Sequence, residues 1–179
     1  MLDRIDALLT EWNFQDEPIR MYLAGGMALH YHCGSRYTQD VDASFSRKIM
    51  LPANDLLVDY LKKDGTPGTL YFDANYNDSF SSMHPDYKED SLPWQGIGNE
   101  KRQIHLHVLT PLDLAVSKIS RFSDQDHEDI LALAKQKFFT SHDLVHRAQE
   151  ALDYYVGDPR WIKLTISRLK EEIEKIQEE

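Results

Sequence analysis

Two short runs hold the residues best suited to chemistry in this 179-residue chain: Gly25-Gly26 and, a little further on, Asp40-Val41-Asp42. On a strand the side chains alternate, so Asp40 and Asp42 leave the same face with their oxygens close together. Two adjacent negative charges repel, but they become favourable around a hard divalent cation. Such a cation prefers oxygen ligands and, if it is Mg²⁺, keeps sites for phosphate oxygens and water. A glycine pair at a helix start lets backbone N–H groups approach a phosphate and aims the positive end of the helix at it. A phosphate cradle beside metal-binding carboxylates points to phosphoryl chemistry.

The surrounding pattern supplies elements to carry these groups. MYLA reads as a short strand, Gly25-Gly26 turn it into a helix over about 27–33, and DVDASF alternates as a strand. Ahead of them Leu2, Ile5, Leu8, Leu9 and Trp12 recur at helical spacing, with Pro18 as the stop. Asn54 is placed to cap a helix carrying Leu56, Leu57, Tyr60 and Leu61 that ends at Asp64-Gly65, and TLYFDANY follows as a strand, giving βαβαβ. Residues 77–100 read as a long surface segment, and RQIHLHVL as a strand. Thr110 caps a helix with Pro111 and Asp113 in its first turn and Leu112, Ala115, Val116 and Ile119 on its buried face. Ser123 with Asp126 opens another helix, and a further one covers about 141–155 before Gly157-Asp158-Pro159. The charged final helix bears Ile162, Ile166, Leu169, Ile173 and Ile176, a stripe that packs on its own domain or makes a homodimer contact.

The strand, glycine pair and Asp-x-Asp in this order resemble the nucleotidyltransferase superfamily related to DNA polymerase β. The stretch LAGGMALHYHCGSRYTQDVDASF is most similar to small bacterial nucleotidyltransferases that include aminoglycoside-modifying enzymes and toxins of abortive-infection systems. The similarity continues into IHLHVLTPLDLAVSKISRFSDQDHEDILAL, so it covers roughly residues 20–135. The resemblance implies an α+β nucleotidyltransferase fold, a small mixed sheet with flanking helices and a helical C-terminal portion. The expected division is 1–110 for the nucleotidyltransferase core and 111–179 for the helical portion, in one compact unit.

It also implies an Mg²⁺-dependent enzyme that moves a nucleoside monophosphate from an NTP to an acceptor hydroxyl and releases pyrophosphate. Asp40, Asp42 and a third carboxylate would hold the metal. Asp73 is the candidate for the third, with Asp78 or no third acid as alternatives. Gly25 and Gly26 would cradle the triphosphate, with Lys118, Arg36 and Thr38 as further nucleotide contacts. Arg36 can instead pair with an acid, and a helix lysine is ordinarily solvated. The acceptor is left open among a small molecule, tRNA and a protein. Alternatives are an inactive nucleotide-binding module of the same fold and a toxin with an antitoxin partner.

Other groupings carry less. Asp126 and Asp129 share a helical face, and Asp126 sits where a capping acid would. His30, His32 and Cys33, or His105 and His107, lack a zinc framework, and nothing around Cys33 activates a thiol. The formal charge of −10 disfavours blanketing of long nucleic acid, although Arg36, Arg47, Lys48, Lys101, Arg102, Lys118 and Arg121 can gather around one cleft. No apolar run is long enough to span a bilayer, the first residues do not read as a secretory signal, and a single cysteine allows no internal disulfide; the expectation is a cytoplasmic protein.

Overall fold

The computed structural model describes residues 1–34, 37–52, 56–76 and 81–178. It is an α+β fold in which two small sheets carry the first half and helices the second. Helix α1 (Leu2–Glu11) buries Ile5 and Leu9. It ends at Glu11, well before Pro18, where Asn13 takes a left-handed φ of 53°. The Asp6 carboxylate then accepts from the backbone N–H groups of Gln103 and Ile104 and from Arg102, tying α1 to the sheet.

The four-stranded sheet has the order β3-β1-β7-β6. Its centre is β1 (Ile19–Leu23), antiparallel to β3 (Ala43–Phe45) and parallel to β7 (Ile104–Val108). The short edge strand β6 (Leu92–Pro93) lies antiparallel to β7, giving the segment that reads as a surface loop one partial strand. Helix α2 (Gly25–Cys33) leaves the end of β1. The three-stranded sheet has the order β2-β5-β4: β2 (Asp40–Val41) is parallel to β5 (Pro67–Phe72), which is antiparallel to β4 (Leu57–Leu61).

Residues 57–61 are therefore a strand, not the helix expected there, and Asn54 lies outside the described residues. Asp64-Gly65, expected to stop a helix, instead forms a hairpin turn. Asp64 accepts from the Thr66 N–H and hydroxyl, and Gly65 adopts φ 79°. Pairing along all five positions of β4 outweighs the helical spacing of its apolar residues.

The helical half follows its caps. Thr110 accepts from the Asp113 N–H at the start of α3 (Pro111–Ser117). Reciprocal capping boxes open α4 (Asp124–Lys135) from Ser123 and α5 (Ser141–Leu152) from Thr140. Helix α6 (Arg160–Glu178) turns Ile162, Ile166, Leu169 and Ile173 into the core shared with α3, α4 and α5. Each such burial contributes about 1.5–3 kcal/mol, so the stripe is used within the chain. No helix among the described residues is long and apolar enough to cross a membrane.

Candidate active site

The Asp-x-Asp run does not lie on one strand. Asp40 and Val41 belong to the three-stranded sheet and Ala43 begins a strand of the four-stranded one, so Asp42 is where the chain passes between them. Two ladders converge there. On one side Leu23 pairs with Ala43, and the Ala24 N–H donates to the Asp42 carbonyl at 2.9 Å. On the other side Val41 pairs with Phe72, and the Asp73 N–H donates to the Val41 carbonyl at 3.1 Å. These registers set Asp42 between the Gly25 turn and Asp73.

Gly25 is required by this arrangement. Its φ is +56°, and a Cβ there would fall inside contact distance of Asp42 Oδ2 and 2.7 Å from Asp42 Cγ. The carboxylate occupies the space that only glycine leaves. Gly25→Ala is expected to cost about 1–2 kcal/mol for the left-handed backbone alone and to push the Asp42 carboxylate aside. Thermal unfolding checks this: Gly25→Ala should melt at a lower temperature than the parent chain, and an unchanged melting temperature would show that the close approach of Asp42 does not require glycine.

A cleft of about 460 Å³ opens at this junction, lined by Gly25, Asp42 and Asp73 on one side and by Lys118, Arg121 and Asp126 on the other. Asp42 has its pKa raised, first by burial and then by the negative charges of Asp73 and Asp40, against the opposing pull of Lys118 and Arg121. Asp40 does not line the cleft; it holds a hydrogen bond with Tyr71, its partner across the β2–β5 ladder. Gly26 is buried inside α2. Thr38 accepts from the Asp40 N–H at 3.3 Å and lines no part of the cleft. Arg36 and Asp78 lie outside the described residues.

Lys118 is buried, and its ammonium lies 2.7 Å from Asp129 and 3.3 Å from Asp126, themselves buried carboxylates. Burial alone pushes the Asp126 carboxyl up. That is outweighed by hydrogen bonds from Arg121 and Ser123 and by the Lys118 charge, which hold it far below the usual carboxylate range. Arg121 forks onto Asp126 with both bonds at 2.7 Å, yet its side chain is 75% exposed along the cleft. Two positive and two negative groups thus balance where α3 meets α4.

The sequence places Lys118 at the cleft but says nothing of Tyr76 or Tyr155, which also line it. Tyr155 arrives from beyond α5, and no local spacing links it to the glycine turn. Of the histidines, His32 donates to the Leu109 carbonyl at 2.8 Å and His107 pairs with the Ser91 hydroxyl. Burial, then the Asp129 charge, raises the Cys33 pKa away from thiolate.

Asp42 and Asp73 fit a divalent cation by chemistry, since the negative charge of Asp73 bears on the buried Asp42 carboxylate and a positive ion shared between them relieves that repulsion. Among the described residues, however, no three acidic, histidine or cysteine side chains are gathered closely enough to hold an ion by themselves. A family model described as "Nucleotidyltransferase of unknown function (DUF6036)" matches residues 1–174. No curated protein matches the chain.

Proposed function

The chain belongs to this family of nucleotidyltransferases of unknown function, and on that premise we propose that it transfers a nucleoside monophosphate from an NTP to an acceptor hydroxyl. The observation that carries the reading is the cleft in which Gly25, Asp42 and Asp73 face Lys118 and Arg121. The Gly25 turn and the start of α2 receive the triphosphate. Arg121, exposed along the cleft, reaches it from the opposite wall, while Lys118 holds that wall together through Asp126 and Asp129.

Asp42 and Asp73, with Asp40 at the margin, are the residues that would hold Mg²⁺; when bound, the ion supplies charge neutralisation on the phosphate oxygens. Asp73 takes the proton of the acceptor hydroxyl as its oxygen bonds to the α-phosphorus. The α-to-β phosphoanhydride bond then breaks and pyrophosphate leaves. Catalysis on this scheme is positioning and charge stabilisation.

The test incubates the protein with each α-labelled NTP, Mg²⁺ and cell extract, and follows label and pyrophosphate together. Equal transfer and release is expected. That no three-acid site stands ready-made among the described residues favours a second reading, an inactive nucleotide-binding module. Mg²⁺-dependent NTP binding without pyrophosphate would establish that one, and absence of binding would sink both. Label arriving on tRNA or on a protein would give the toxin reading its first support.

A further inference from the structure

A second cleft, of about 570 Å³, lies on the far side of Asp73 and shares Asp73 and Tyr76 with the first. Its lining differs in kind. Arg47, Lys48 and Lys88 stand around it with Asp73 as the one acidic companion on the wall among the described residues, in a chain of net charge −10. The floor is apolar: Phe45 and Phe72 lie with ring centroids 5.8 Å apart, and Met50 extends the surface with 83% exposure.

The cations are not equally engaged. Arg47 is paired with Asp16 at 2.7 Å and stacks over Phe14, so part of its charge is spent. The Lys88 ammonium lies 5.3 Å from the centre of the Tyr87 ring and 5.7 Å from that of Tyr22. That arrangement helps to fix its position at the wall of the cleft. Lys48 forms no ion pair among the described residues.

Resting on the nucleotidyl-transfer reading, we propose that this second cleft is the acceptor site and that the acceptor is a small anionic hydroxyl compound, bearing a phosphate or carboxylate and an apolar portion. The anion meets Lys48, Lys88 and Arg47, the apolar part lies on Phe45 and Phe72, and the hydroxyl reaches Asp73. From there its oxygen attacks the α-phosphorus of the NTP in the first cleft, its proton passes to Asp73, and pyrophosphate departs. A polycationic acceptor such as an aminoglycoside is excluded by the same charges, because like charges around one cleft repel.

The experiment follows backbone NMR signals of the full chain during two titrations, one with Mg²⁺–ATP and one with phenyl phosphate, a dianion attached to a flat apolar ring. ATP should move signals at Gly25 and 117–121, and phenyl phosphate those at 44–50 and 72–74. Lys48→Glu should weaken phenyl phosphate about tenfold, and Lys48→Arg should retain it, the range expected for one charged hydrogen bond. Neutral phenyl glucoside and kanamycin should leave 44–50 unmoved. If ATP binds as stated while phenyl phosphate does not, the acceptor inference fails and nucleotidyl transfer stands. If ATP itself occupies 44–50, the two clefts have been assigned the wrong way round and the inference fails. If ATP moves neither set, both readings fail. Transfer of labelled nucleotide to a sugar phosphate but not to kanamycin completes the support; labelling of kanamycin, or of an RNA end in extract, overturns it.

Discussion

Asp42→Asn should lower nucleotidyl transfer by about 10³-fold or more, the scale on which single electrostatic groups act in phosphoryl transfer, and at the same time raise the melting temperature of the metal-free protein at neutral pH. The carboxylate sits against Gly25, with Asp73 and Asp40 near enough to raise its pKa. Because the folded-state pKa lies above the unfolded one, ionising Asp42 costs more in the folded protein than in the unfolded chain. That cost is absent below the ordinary carboxylate pKa and grows as pH rises from there through the raised value. Asparagine keeps the shape without the charge. The gain in melting temperature should therefore vanish in acid and reach its full size above the raised pKa. Differential scanning calorimetry in chelator from pH 3 to 8, beside an assay of pyrophosphate release, reads both arms. Full activity in the variant would remove Asp42 from the chemistry, and an unchanged or lower melting temperature at neutral pH would show that its charge is not a burden on the fold.

Lys118→Met is expected to be the most damaging single change to stability, costing about 3–5 kcal/mol, because it removes the cation from two buried carboxylates. In a chain of this size that corresponds to a drop of about 6–20 °C in melting temperature. The companion change Asp129→Asn should return part of the loss, since removing the opposite charge relieves the burial cost left behind. The double variant also separates two roles for the lysine. Restored stability with restored ATP affinity assigns Lys118 to holding α3 against α4. Restored stability with affinity still lost assigns it a direct contact with phosphate.

What could be read from the sequence was local. Thr110 and Ser123 announce their helices because a cap and the acid three residues on act within one turn. The glycine pair and the acids 40, 42 and 73 stand out by residue type and order, and the structure brings Gly25, Asp42 and Asp73 to one cleft. Residues 57–61 were misleading because Leu57, Tyr60 and Leu61 fall at helical spacing, while their true partner, Pro67–Phe72, lies beyond a turn whose Asp64-Gly65 equally resembles a helix end. The passage of Asp40-Val41-Asp42 from one sheet to the other follows from pairings with Tyr71–Phe72 and Leu23, which no periodicity within the run encodes. Lys88 and Tyr155 likewise reach their clefts from distant segments.

A run that straddles two sheets behaves as a ruler whose length belongs to neither. Asp40 moves with one sheet, the strand starting at Ala43 moves with the other, and the spacing of the two carboxylates follows how the sheets sit on each other. Phe45 of the larger sheet meets Phe72 of the smaller, so this ring contact is one of the places where that spacing is set. On the proposed chemistry, trimming either ring would retune the grip on a cation without altering any acid, a route by which selection can adjust the reaction from outside its chemistry.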